Sequence, residues 1–352
     1  MNAQAATVLG VVTAFVPLVL VLVLWVASLY SESAANFVYK LHLLRLGASH
    51  LLLSTDKKWK KPVGDSGRIR ERRKQKRVVL IRHGESQWNV VFNKGLNASF
   101  PKRLGNALHQ ELMLLGTLDS VFVDSPMSAD GADQARELAE YVESPPDDDE
   151  VGAVLKGTSK TSSVIASSNL RRALSTGTVA FWGRLKRTQE KVHVLSALQE
   201  VTFNIDGVAL SKPRSAPVLS DVELDALHQK RADFHADRYF DCTANAGDKS
   251  VRSRGVDRML QFCKWCLDRP EDVVIAAGHS LYFRFLFQTL LPLSSTHRAK
   301  KDKMGNCSVV SFLLFEGIDS GTGQVFYGID ESTIAVHHND FEGPGHGKKK
   351  KN

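Results

Sequence analysis

Two apolar runs, far apart in the chain, end in the same kind of punctuation. Val78, Val79, Leu80 and Ile81 lead into Arg82-His83-Gly84-Glu85-Ser86, and Val273-Val-Ile-Ala-Ala277 leads into Gly278-His279-Ser280. A short apolar run closed by glycine reads as a buried strand, and the glycine allows a tight turn directly after it. Each histidine therefore sits at a strand end, where a side chain meets ligand on a rigid support, and the two ends can converge on one site.

The chain between and around them alternates. Strand patterns fall near 77–82, 162–167, 192–195, 272–277, 307–315 and 323–328, and helical patterns near 131–143, 169–185, 221–237, 252–268 and 280–291. Strands alternating with helices predict an α/β sheet covered by helices on both faces, with functional groups at the carboxyl ends of strands.

Further motifs follow in order. Trp88-Asn89 comes after the first histidine. Asp124-Ser-Pro-Met-Ser-Ala-Asp-Gly131 precedes Gln134-Ala135, Ser167-Ser-Asn-Leu-Arg-Arg172-Ala-Leu-Ser-Thr176 lies beyond it, and Leu198-Gln-Glu200 follows a predicted strand. Taken in this order with Arg82-His83-Gly84 and His279, they resemble the histidine phosphatase superfamily, the phosphoglycerate-mutase-like proteins, over 77–316. The resemblance implies a three-layer sandwich with a mostly parallel sheet flanked by helices, and a reaction needing neither cofactor nor metal.

The residue types suit phosphoryl transfer. A phosphoryl group in flight spreads negative charge over three oxygens and needs fixed cations and donors around it. Arg82 and Arg172 offer permanently charged, bidentate guanidinium groups, with Asn89 and His279 as further donors to the same oxygens. His83 is the expected nucleophile, because an imidazole attacks phosphorus when neutral and neighbouring cations oppose its protonation. Glu200 is the expected proton donor to the leaving oxygen and then the base that activates water, with Asp206 in reserve. Asn204, Asn245 and Lys249 are weaker candidates for substrate contacts.

Charge and hydropathy partition the flanks. The stretch 9–29 has 21 residues without a charge, and as a helix it would reach ~32 Å, enough for the ~30 Å hydrocarbon layer of a bilayer. It is longer than a usual signal-peptide core and no Lys or Arg precedes it, so a retained anchor is expected over a cleaved signal. Residues 37–53 stay apolar with interspersed charges, suiting a helix at the headgroups or a second buried helix. Between 57 and 77 stand eleven Lys or Arg against Asp65 and Glu71, whereas the whole chain carries +8. The basic balance thus belongs to one stretch, which suits anionic lipid better than nucleic acid, since only Trp59 is available for stacking.

The expected organisation is an anchor at 1–30, an amphipathic and polybasic linker at 31–76, a catalytic domain at 77–330 and a flexible basic tail at 331–352. Positive charge follows the anchor, which places the catalytic domain in the cytosol. Lys349 and Lys350 resemble a dilysine retrieval signal, favouring the endoplasmic reticulum slightly among membranes. Residues 90–123 are expected to add a helix near the site entrance, and 145–160 a mobile, charged loop. Cys263 and Cys266 share one apolar face with Val256, Met259, Leu260 and Leu267, so core packing is expected for them instead of zinc or redox chemistry.

The expected activity is hydrolysis of a phosphomonoester, on a small molecule or a phosphoprotein, with mutase-type transfer and a non-catalytic phospho-ligand scaffold as alternatives. Glycolytic mutases resemble N-E-R-x-Y-G around the acidic residue, whereas this chain reads Glu200-Val-Thr-Phe-Asn-Ile-Asp206.

Overall fold

The alternation of strands and helices resolves into one seven-stranded sheet with helices on both faces. The structure, a computed structural model, describes residues 3–58, 69–146 and 148–343, with side chains from residue 15 onward. In chain order the elements are α1 (Ala3–Tyr30), α2 (Glu32–Leu53), β1 (Ile69–Arg82), α3 (Phe100–Met113), α4 (Ala129–Glu143), α5 (Glu150–Lys156), β2 (Ser163–Ser168), α6 (Arg171–Ala180), α7 (Trp182–Thr188) and β3 (Val192–Leu195). There follow α8 (Asp221–Ala226), α9 (Ala236–Tyr239), β4 (Phe240–Asp241), α10 (Gly255–Asp268), β5 (Val273–Gly278), α11 (Ser280–Leu290), β6 (Lys303–Met304), β7 (Val309–Asp319), β8 (Val325–His338) and β9 (Phe341–Glu342).

The sheet order is β4-β3-β2-β5-β1-β7-β8. The first five strands are parallel, while β7 and β8 complete the sheet antiparallel. Successive residues of β1 face opposite layers: Val78 and Leu80 pack on Met259, Phe262, Phe283 and Phe287 of α10 and α11. Val79 and Ile81 pack on Ala132, Leu138 and Leu174 on the other side. Burial on both faces is why the strands read as unbroken apolar runs instead of alternating ones. Cys263 and Cys266 lie in the first of these layers as free thiols.

Several expectations shift. The helical pattern at 221–237 is two short helices, because His228 adopts a left-handed φ of 54° just after α8 and breaks the helical path. The loop expected at 145–160 contains α5, capped by Asp149 and anchored by buried Val151, Val154 and Leu155. The linker and tail boundaries both fall inside the sheet. β1 begins at Ile69 and pairs with β7 from there, so part of the polybasic stretch is strand. β8 runs on to His338, and β9 pairs with β6 beyond it. Backbone pairing along β7 continues past the point where apolar patterning stops. The four terminal lysines, and residues 59–68 of the polybasic stretch, lie outside the described residues.

Among the described residues no helix is long and apolar enough to cross a membrane. The side chains of 9–14, the first part of the expected anchor, lie outside the described set. From residue 15 on, α1 leaves Leu18, Leu22, Trp25 and Leu29 exposed. α2 behaves differently: one face is buried, while Leu41, Leu44, Leu51, Leu52 and Leu53 stay exposed. Leu43 packs with Val123, Val208 and Leu210, and Lys40 donates to Glu111 and to the Leu114 carbonyl of the 90–123 insertion.

Candidate active site

β1 and β5 are adjacent and parallel with Arg82 opposite Gly278, so the residues that follow, His83 and His279, leave the sheet side by side. Their ring centroids are 5.2 Å apart. His83 Nδ1 lies 2.6 Å from the Gly84 carbonyl. Since a carbonyl only accepts, the proton sits on Nδ1 and the lone pair on Nε2. Burial first, then the Arg172 and Arg82 charges, hold His83 well below the usual imidazole range. His279 is depressed in the same way by burial and Arg172, and its Nε2 meets Ser168 Oγ at 2.9 Å.

The turn after His83 is gripped by the two downstream motifs. Gly84 N donates to Thr176 Oγ1 at 3.0 Å and Glu85 N to Gln134 Oε1 at 2.9 Å. At Gly84 and Gly131 two backbones approach so closely that a Cβ on Gly131 would stand 2.0 Å from the Glu85 carbonyl oxygen, and one on Gly84 2.5 Å from that of Gly131. Ser128 caps α4 by accepting from Gly131 N. Asp124, fully buried with φ of 48°, accepts from Arg171 N and Leu210 N and so ties α6 to the loop after Glu200. Apart from Arg172, these motif residues support the turn and do not line the cavity.

The cavity itself, about 210 Å³, is lined by Arg82, His83, Asn89, Arg172, Glu200, Asn204 and Asp206, together with Trp88, Asn93, Thr202, Ser280, Leu281 and Lys303. Arg82 donates from Nη1 to the Met304 carbonyl at 2.6 Å and keeps its buried Nε unpartnered among the described residues. Arg172 is aimed by Asp206: Nη1 donates to the Asp206 carbonyl at 2.7 Å and Nη2 lies 3.4 Å from its carboxylate. Asp206, the reserve acid, is thus engaged with the arginine.

Glu200 Oε1 accepts from Val201 N at 2.9 Å and from Tyr282 N, in the first turn of α11, at 2.8 Å. Burial raises the Glu200 carboxyl above its ordinary range against the opposing pull of Arg172, the direction that favours a proton donor.

The weaker candidates divide. Asn204 lines the cavity. Asn245 is buried away from it, bonded to Asn169, Ser211 and the Ser215 carbonyl. Lys249 is also buried, ion-paired with Asp56. Both hold loops, and neither is a cavity-lining residue. Asp56 and Lys303 escaped the sequence pattern: Asp56 lies outside the matched region, and Lys303, in the short strand β6, follows an unremarkable basic stretch.

No protein-family model and no curated protein matches this chain. Solved structures similar to it include a mycobacterial glucosyl-3-phosphoglycerate phosphatase complexed with VO3, at 18% identity over 72% of this chain and 97% of that one, with a TM-score of 0.35. The ecdysone phosphate phosphatase of Bombix mori in complex with tungstate is 14% identical over 67% and 88%, with a TM-score of 0.34. A protein from Thermus thermophilus is 17% identical over 71% and 96%, with a TM-score of 0.30. At these values the functional assignment rests on the site's own residues.

Proposed function

We propose that this chain is a phosphomonoester hydrolase of the histidine phosphatase type, working through a phosphohistidine on His83. The observation that carries the proposal is the Nδ1 contact of His83 with the Gly84 carbonyl, which leaves Nε2 unprotonated in a cavity shared with two guanidinium groups and a buried carboxyl. In the first step Nε2 attacks phosphorus and the bond to the leaving oxygen breaks, while Glu200 gives that oxygen its proton. In the second, Glu200 takes a proton from water, the water oxygen attacks phosphorus and the P–N bond breaks. Inorganic phosphate leaves, and Glu200 and neutral His83 are restored. Arg82 and Arg172 neutralise the phosphoryl oxygens in both steps, with Asn89 and His279 as auxiliary donors.

The test is a rapid acid or alkali quench of the full chain with a labelled phosphomonoester. Protein-bound phosphate that is labile in acid and stable in alkali is the expected result; phosphate on serine would overturn it. With 3-phosphoglycerate and a 2,3-bisphosphoglycerate primer, release of free phosphate without isomerisation separates hydrolysis from mutase transfer.

The proposal includes a membrane anchor at 9–29, with basic residues of 57–77 near anionic lipid and the catalytic domain on the cytosolic side. Supporting it are the uncharged composition and the apolar side chains that α1 leaves without protein cover. Protease protection of sealed microsomes tests the orientation: a shielded catalytic domain reverses it.

A further inference from the structure

The loop that carries Glu200 is held from beneath by a segment that precedes every catalytic motif. Asp56, just past the end of α2, is 1% exposed. Its carboxylate takes Lys249 Nζ at 2.6 Å, Arg258 Nη1 at 2.7 Å and the backbone N–H of Thr202 at 3.1 Å. Lys249 Nζ also donates to the carbonyls of Glu200 and Thr202, each at 2.6 Å. Arg258 Nη2 reaches the Gln199 and Glu200 carbonyls at 3.3 and 3.4 Å. The backbone on both sides of the Glu200 side chain is therefore bonded to two cations that share one buried counter-ion.

A second grip lies one turn earlier. His50 Nε2 meets Asp248 Oδ2 at 3.2 Å, while Asp248 Oδ1 accepts from Gln199 Nε2 and, at 3.0 Å, from Ala209 N. Tyr39 OH donates to the Leu210 carbonyl at 3.1 Å. Space is matched to the contact: Gly255 N donates to the Asp56 carbonyl, and a Cβ on Gly255 would stand 2.8 Å from Val201 and 3.0 Å from that carbonyl oxygen.

We propose that Asp56, through Lys249 and Arg258, is a positioning residue for Glu200, which makes the segment before β1 part of the catalytic apparatus although it touches no substrate. The physical basis is charge balance. Two buried cations with one carboxylate hold their places; without it they repel each other, and the ammonium leaves the carbonyls for solvent. Displacing a catalytic group by about 1 Å typically costs on the order of 10²-fold. The damage should fall on proton donation and spare the phosphate cradle, whose Arg82 and His83 are held by other partners.

The inference rests on Glu200 as the proton donor, and the test keeps the two apart. In the full chain, Asp56→Asn and Lys249→Met are compared with Glu200→Gln on an alkyl phosphate and on p-nitrophenyl phosphate, whose leaving group needs little protonation. Lys249→Met leaves Asp56 paired one-to-one with Arg258, so it tests the brace even where Asp56→Asn fails to fold. The expected result is a fall of about 10²-fold in kcat on the alkyl phosphate, a few-fold change on p-nitrophenyl phosphate, and unchanged inhibition by orthovanadate. Equal losses on both esters, or no loss on either, would overturn the brace while Glu200→Gln still discriminates. A Glu200→Gln variant without discrimination sinks the proton-donor assignment itself, and the brace with it.

Discussion

The proposed phosphate cradle and the proposed proton-donor loop are built in opposite ways. Arg82, His83 and His279 stand at the ends of adjacent parallel strands, and their support comes from hydrogen bonds made by the motifs that name the site, such as Thr176 to Gly84 and Gln134 to Glu85. Glu200 stands on an irregular segment with little secondary structure of its own, and its backbone is held by Asp56, Lys249 and Arg258 from three separate parts of the chain. A sheet places side chains by register, so a few local residues suffice. A loop has no register and needs long-range bonds to satisfy its carbonyls.

The sharpest way to break the comparison is to remove one group from each side. His83→Ala should abolish turnover on every ester, since it removes the proposed nucleophile, and the quenched protein should carry no phosphate. Glu200→Gln should cost about 10²- to 10⁴-fold on alkyl phosphates and far less on p-nitrophenyl phosphate. Comparable losses on both esters would move Glu200 from chemistry to structure, with Asp206 the next group to test.

Arg172 joins the two regions, because it lines the cavity while bonded to Asp206 in the loop. Arg172→Lys keeps the charge but loses the fork. A charge-assisted hydrogen bond worth about 1.5–3 kcal/mol corresponds to a drop of roughly 10- to 150-fold in kcat/KM, measurable by steady-state kinetics. A variant as active as the parent would show that point charge alone suffices.

The two regions also have opposite proton requirements. His83 must be neutral, and burial with the Arg172 and Arg82 charges depresses it, so the acidic limb of kcat/KM should lie below the ordinary imidazole range of about 6.5. Glu200 must be protonated, and burial raises it, so activity on alkyl esters should fall as pH rises through that elevated value. In Glu200→Gln the basic limb should flatten and the acidic limb remain. A basic limb that survives intact would assign it to another group.

The smallest effect is expected at the cradle's open side, where the half-exposed Glu342 lies 3.6 Å from Arg82 Nη1. With the carboxylate half-exposed and screened by solvent, the pair is worth about 0–1 kcal/mol although Arg82 itself is buried. Glu342→Gln should therefore tighten inhibition by inorganic phosphate by at most about 5-fold; weakened inhibition would mean that Glu342 orients Arg82 instead of competing for it.

Much of the cradle was legible beforehand because its residues lie within or beside the apolar runs that become strands. The pairing of His83 with His279, the helices on both faces and the packing of Cys263 and Cys266 follow from periodicity and glycine placement. The engagement of Asp206 with Arg172 was not legible, since only the fold shows its carboxylate turned to that arginine. Nor was the role of Lys249, a polar residue in a loop until its neighbours are known. The domain edge expected at 77 fell inside β1 for a related reason: Ile69 to Arg77 is strongly basic, and its strand conformation depends on pairing with β7, not on its own hydropathy. A fragment starting at 77 would cut that strand and remove Asp56.

The sequence by itself determined the layers and the strand ends, because those follow from rules acting over a few neighbouring residues, while the roles of the site residues are what the family resemblance implies. The tertiary structure alone decided that Asp206 is turned to Arg172 while Glu200 accepts from two backbone N–H groups. It also decided that a segment outside the recognisable motifs is bonded to the loop that carries Glu200. Those outcomes depend on burial and on hydrogen bonds between residues distant in the chain, Asp56 and Lys249 among them, and no local pattern encodes such a meeting.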